Sequence, residues 1–209
     1  MKQFFITGTD TGVGKTLISA IVMQVLKAHY WKPIQSGLAD EISDRAQVQA
    51  WTNFPSQHFF DSHYNLQASL SPNIAADLEN KKIHLHECQI PTTQSLVVEG
   101  AGGVCVPVNE HASMLDLMKQ LDLPVIIVSR GALGTINHTL LTIEALLARA
   151  IKIHGVVFNG EINPASQKTI ETWGKIRTLF HVPRFQQLTK DNLQSWIRTE
   201  EKNIQQELT

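Results

Sequence analysis

Apolar residues recur along this chain in two rhythms. Phe4-Phe5-Ile6, Leu96-Val97-Val98, Val125-Ile126-Ile127-Val128 and the stretch 153–158 are short, mostly unbroken apolar runs. Their length and β-branched content predict strands covered on both faces. Elsewhere apolar positions fall three and four residues apart. Leu17, Ile18, Ile21, Val22, Val25 and Leu26 predict a helix over 15–28. Leu140, Leu141, Ile143, Leu146 and Leu147 predict another over 137–150, with Thr135 as its N-cap. Further helices are expected over 44–51 behind Ser43 or Asp44, over 71–80 opening on Ser71-Pro72, and over 114–121, 165–180 and 189–207. A short strand runs up to Lys32, where Pro33 bars a helix. Residues 55–67 lack a period and are expected to form a loop, and 182–188 a short strand or loop. Strands alternating with helices, with no repeat or low-complexity linker, predict one doubly wound, mainly parallel α/β domain over residues 1–209.

Composition narrows the function little. The chain of 209 residues is 43 % hydrophobic and 18 % charged, ordinary for a globular protein, and its formal net charge of -1 gives no nucleic-acid footprint. No apolar run is long enough to span a bilayer, and Met1-Lys2-Gln3 leads straight into a strand. Two cysteines, Cys88 and Cys105, are too few for a metal framework. His84-Leu85-His86 lacks further ligands nearby and is expected to be a pair of surface histidines. The expectation is a cytoplasmic protein with no membrane or nucleic-acid partner.

The chemistry concentrates where the first strand meets the first helix. Gly8-Thr9-Asp10-Thr11-Gly12-Val13-Gly14-Lys15-Thr16 is a strand–glycine loop–helix arrangement that cradles phosphates. Glycines let backbone N–H groups approach phosphate oxygens, and the helix start adds unpaired donors and partial positive charge. Lys15 supplies a cation for the β/γ-phosphates, and the Thr16 hydroxyl is placed for Mg²⁺. The strict motif would have a glycine at Thr9; here Gly8 stands one residue further back. A second feature is Ser95-Leu96-Val97-Val98-Glu99-Gly100-Ala101-Gly102-Gly103, an apolar strand ending in a carboxylate and then a glycine-rich turn. An acid there suits a Mg²⁺ contact, because ligands gather at the carboxyl ends of parallel strands.

Three blocks and a fourth shorter one resemble the dethiobiotin synthetase family. They are the loop from Thr7 to Thr16, Lys32-Pro33-x-x-Ser36-Gly37, Val98-Glu99-Gly100-Ala101-Gly102-Gly103, and Gly134-x-Ile136-Asn137-His138. The likeness runs from residue 2 to about 160. It implies that 7,8-diaminononanoate takes up CO₂ as a carbamate, which ATP phosphorylates and the second amine closes into a ring. It implies ATP contacts from Gly12, Val13, Gly14, Lys15, Thr16 and Leu17, from Asp44, from Glu99, Gly100, Ala101 and Gly102, and at the base from Asn159, Gly160, Pro183, Arg184 and Phe185. Thr16, Asp44 and Glu99 would surround Mg²⁺. Lys32 and Lys15 would stabilise the developing negative charge, while Thr11 and Ser36 hold the diamine end. The family works as a homodimer, so the substrate carboxylate would meet Gly134 and Asn137 of a second copy.

The stretch before Lys32 and the linker from Ser36 to Asp44 are shorter than the family's, and Gly160 follows Asn159 where the family often has an acidic or amide residue. The competing class is the regulatory ATPase switch of plasmid partition and division positioning. Those proteins carry an extra lysine early in the loop, and the corresponding position here is Asp10.

Overall fold

The computed structural model describes residues 2–209. In chain order it contains β1 (Lys2–Gly8), α1 (Lys15–Leu26), β2 (His29–Trp31), β3 (Ile34–Gln35), α2 (Asp44–Trp51), β4 (Tyr64–Asn65) and α3 (Pro72–Leu78). There follow β5 (Ser95–Gly103), α4 (Met114–Leu121), β6 (Val125–Arg130), α5 (Thr135–Ala148), β7 (Ile153–Asn159), α6 (Pro164–Gly174), β8 (Thr178–Val182) and α7 (Lys190–Glu207). Six strands form one sheet in the order β2-β5-β1-β6-β7-β8, and every pairing in it is parallel.

Alternation along the strands divides the core in two. Phe4 and Ile6 of β1 join Val97, Ile126, Val128 and Val157 beneath α1 and α7. Phe5, between them in sequence, points the other way with Val98, Ile127 and Phe158 into the layer of α4, α5 and α6. A sheet packed on both faces is why these strands read as unbroken apolar runs.

The structure corrects several boundaries. The helix expected over 165–180 ends at Gly174, where Lys175 takes a left-handed φ of 47°. Thr178 to Val182 then adds to the sheet beside β7. A side chain at Gly174 would meet the tip of Ile143 of α5 at 2.7 Å, so this helix end packs closely against α5. Of the strand or loop expected over 182–188, only Val182 belongs to a strand, which lies earlier, and 183–188 is loop. The expected loop 55–67 contains β4, a two-residue strand paired with β3 and too short to show a period. The α5 N-cap is Gly134, not Thr135; the Thr135 hydroxyl bonds Ser129 at 2.9 Å instead. α2 is capped as expected, the Ser43 hydroxyl accepting from the Ala46 N–H at 3.2 Å.

The chain ends meet at the amino edge of the sheet. Lys2 Nζ donates to Thr209 Oγ1 at 3.0 Å. Nearby, His154 Nε2 lies 2.9 Å from the Glu207 carbonyl, which also accepts from Arg177 at 2.9 Å. A carbonyl only accepts, so the His154 proton sits on Nε2. Burial lowers the His154 pKa from the ordinary histidine value, and the Arg177 guanidinium pushes the same way, against the pull of the Glu207 carbonyl. The fold thus holds this ring neutral. Above about pH 6.5 folded and unfolded chains carry the same charge here and the contribution is complete. As pH falls below that, the unfolded chain takes up its proton first and stability is lost. Melting temperatures between pH 8 and 5.5 should decline towards acid, and the decline should be shallower in His154→Gln.

Candidate active site at the carboxyl end of the sheet

β1 sits in mid-sheet between β5 and β6, and the loop leaving it turns into α1 at the point where the strand order reverses. That is where open parallel sheets bind ligands. Backbone pairing continues past the expected start of the loop: the Thr9 N–H bonds the Val128 carbonyl at 3.0 Å. The longer spacing from Gly8 to Gly14 is thus an extra residue of strand before the turn. α1 opens on Gly14 without a side-chain cap. Its first-turn N–H groups, which have no partner within the helix, are left for an anion.

The loop is braced by its own residues. Asp10 Oδ1 accepts from the Thr11 N–H at 2.7 Å, which lowers the Asp10 pKa, and Arg130 lies 3.6 Å from the other oxygen. Lys15 Nζ donates to the Asp10 carbonyl at 3.1 Å. Burial, and then the neighbouring Lys32 cation, bring the Lys15 pKa down to about 8. Asn159, at the end of β7, donates from Nδ2 to the Val13 carbonyl at 2.9 Å and ties the loop to the adjacent strand end.

Facing the loop is a buried cluster of charge. Lys32 Nζ lies 2.5 Å from Asp44 Oδ2 and 3.2 Å from Glu99 Oε1. Thr16 Oγ1 lies 2.5 Å from Asp44 Oδ1 and 3.0 Å from the same Glu99 oxygen. The other Glu99 oxygen accepts from the Tyr30 phenol at 2.9 Å. Lys32 is 6 % exposed and Glu99 1 %, so neither is a solvated surface charge. Burial works against the Lys32 cation, but the Glu99 and Asp44 carboxylates outweigh it and raise its pKa above the ordinary lysine value. Burial likewise opposes ionisation of Asp44, yet Lys32 beside it keeps the carboxyl below the usual range. Burial, and then the Glu99 charge, hold the Tyr30 phenol firmly protonated. The oxygens of Thr16, Asp44 and Glu99 are hard donors, the chemistry that suits Mg²⁺.

These groups line a cleft of about 1090 Å³. It brings together Thr11, Gly12, Gly14, Lys15, Thr16, Leu17, Lys32, Ser36, Asp44, Glu99, Ala101, Gly102 and Asn159. Val13 is buried beneath the loop and Gly100 within the sheet. Gly160 is half-buried just past β7. Pro183 is exposed, while Arg184 and Phe185 face a separate groove against α7, Phe185 packing edge-on to Trp196. Gly134 and Asn137 stand at the start of α5 and do not line this cleft. Glu99 lies inside β5, four residues before its end, but regular pairing with β1 stops at Ile6–Glu99; after an irregularity over residues 100–102 one further pair joins Gly8 and Gly103. Sequence reasoning missed Tyr30 and Gln35. Tyr30 precedes Lys32 by two, a strand-face spacing that was the available signal. Gln35 accepts the Asp44 N–H at 3.1 Å and fixes the start of α2.

The fold and its glycine loop define a P-loop nucleotide-binding protein. A family model described as "AAA domain" matches residues 2–192. The chain is 46 % identical over 193 residues to the ATP-dependent dethiobiotin synthetase BioD of Novosphingobium aromaticivorans, covering 92 % of this chain and 93 % of that protein. It is 44 % identical over 196 residues to the biotin biosynthesis bifunctional protein BioCD of Bordetella avium, covering 93 % of this chain but 42 % of that longer protein. The chain belongs to the dethiobiotin synthetase family. Among solved structures, the septum site-determining protein MinD of Pyrococcus horikoshii superposes with a TM-score of 0.57 at 13 % identity, covering 99 % of this chain and 93 % of that one, a likeness of fold alone.

The loop makes a testable demand on two glycines. Gly14 has a φ of 98°, and a Cβ there would stand 2.1 Å from Asn159 Nδ2; Gly12 has a φ of 69° and open space around it. Gly12→Ala should lose only the backbone term, about 1 kcal/mol. Gly14→Ala should lose more and release Asn159. Chemical denaturation of both variants measures the difference, and equal losses would show that the Asn159 contact carries no weight.

Proposed function

We propose that this chain is an ATP-dependent cyclo-ligase that converts 7,8-diaminononanoate and CO₂ to dethiobiotin, with ADP and phosphate as the other products. One observation carries the reading: two buried lysines, Lys15 on the loop and Lys32 on the facing wall, flank one cleft beside a Thr–Asp–Glu oxygen cluster. A nucleotide-hydrolysing switch needs the loop lysine. A second buried cation beside it suits a reaction in which the acceptor is also an anion.

In this reading the loop amides and the α1 N-terminus bind the β- and γ-phosphates, and Lys15 leaves the Asp10 carbonyl to meet them. Thr16, Asp44 and Glu99 would hold Mg²⁺, which would supply charge neutralisation at the phosphates. Lys32 pairs with the carbamate formed from one substrate amine. A carbamate oxygen attacks the γ-phosphorus and ADP leaves; the second amine then attacks the carbamoyl carbon, phosphate leaves, and the ring closes. Ser36 Oγ is buried on the cleft wall and has no hydrogen-bond partner among the described residues, which fits it to receive an amine N–H. Thr11 lies at the same mouth. Asn159 would read the adenine edge, with residues 183–185 contributing as the family resemblance implies. The substrate carboxylate meets the α5 start of a second copy, so the working unit is a homodimer of this α/β domain, acting in the cytoplasm.

The test is turnover with diaminononanoate, bicarbonate, Mg²⁺ and ATP, following dethiobiotin and phosphate together. One phosphate per dethiobiotin is expected, and ATP hydrolysis without ring closure would overturn the reading. Lys15→Ala should lower turnover about 100-fold or more. Lys32→Met should keep ATP binding while ring closure collapses, because its charge acts on the carbamate and on the phosphorylated carbamate made from it. A parallel loss of ATP affinity would make Lys32 a nucleotide ligand instead.

A further inference from the structure

Tyr30 is the largest fully buried side chain among the described residues, and it carries a hydroxyl. Its ring lies in the core layer under α1, among Ile18, Val22 and Val97, and tilts against Phe59. Phenylalanine would fill that space. A buried hydroxyl left unpaired is costly, so its presence asks for a partner. That partner is Glu99 Oε2, at 2.9 Å.

Register explains the meeting. Tyr30 pairs with Val97 across β2 and β5, and Glu99 is two residues beyond Val97 on the same face. A phenol leaning along the strand direction reaches the carboxylate. Glu99 therefore has a divided environment. Oε1 faces the cleft, within 3.0 Å of Thr16 and 3.2 Å of Lys32. Oε2 is turned into the core and held there by Tyr30.

We infer that Tyr30 is a positioning residue that locks the Glu99 carboxylate so that one defined oxygen, Oε1, is presented to the cation bound at Thr16 and Asp44. This rests on the metal reading of the site. Without the phenol the carboxylate is free to rotate about its last bond, and the buried Oε2 lacks its donor. The geometry offered at Thr16 would then loosen even though Tyr30 touches neither nucleotide nor metal. Partners behind a ligand commonly change metal affinity by about 10- to 100-fold when removed.

The experiment uses Mn²⁺ as the probe and measures its binding to the protein–ADP complex by electron paramagnetic resonance. Wild type, Tyr30→Phe, Tyr30→Met, Glu99→Gln and the Tyr30→Phe/Glu99→Gln pair are compared, with melting temperature and metal-free ADP affinity recorded for each. The two Tyr30 variants lack the hydroxyl but fill the space differently, so an effect common to both belongs to the hydroxyl. Both should bind Mn²⁺ about tenfold more weakly with metal-free ADP affinity unchanged, and Tyr30→Phe should add nothing once Glu99 is glutamine. If Glu99→Gln weakens Mn²⁺ while Tyr30→Phe changes only the melting temperature, Tyr30 is core packing and the inference falls. If Glu99→Gln leaves Mn²⁺ binding unchanged, the metal reading itself falls and takes this inference with it.

Discussion

Everything around the cleft answers to one constraint: a buried lysine and a buried glutamate are held together out of water, with a half-buried aspartate beside them. Removing charges from solvent costs several kcal/mol each unless every one finds partners in good geometry. Lys32 meets Asp44 and Glu99, Thr16 bridges the same two acids, and Tyr30 and Gln35 secure their outer sides. The contributing elements are far apart in sequence: α1, β2 with the turn after it, α2 and β5. Charge satisfaction therefore ties the helix that follows the glycine loop to the edge strand and to the short helix beyond. Any one of these displaced would strand a buried ion.

The same constraint makes the site a set of competing claims on a few oxygens. Glu99 Oε1 has both a hydroxyl and an ammonium within reach, and Lys32 divides itself between two acids. Lys15 is committed to a loop carbonyl and repelled by Lys32. An arriving polyanion changes the balance for every member at once. That coupling, more than any single contact, is what a reaction with two anionic reactants requires of its container.

Much of this was legible in the chain. The apolar runs located the central strands because both faces of the sheet are covered. The glycine loop with Lys15 and Thr16 pointed to the cleft because so few residue types suit a phosphate cradle. The elements that escaped did so for physical reasons. β3 and β4 are two residues each, below the length at which alternation has meaning. β8 was absorbed into a predicted helix because Gly174 and Lys175, which end that helix, resemble ordinary surface residues until Ile143 is seen against them. Glu99 was placed at a strand end because a glycine run usually signals a turn; here the run breaks the register with β1 and rejoins it at Gly103. Tyr30 looked like any core aromatic. Its hydroxyl acquires a purpose only when register sets it beside an acid sixty-nine residues away.

The clasp between Lys2 and Thr209 has a consequence for how such a domain can be built into larger proteins. Both ends of the chain leave from the edge of the sheet where β1 begins, and the cleft opens at the opposite edge, where β1 finishes. A polypeptide spliced onto either end would hang from the far side and leave the mouth clear. With Lys2 and Thr209 linked through their side chains, a short tether would also join them, so the order of the elements could be cyclically rearranged while the layered arrangement is kept. The architecture is a cartridge: loaded at one end, attachable at the other.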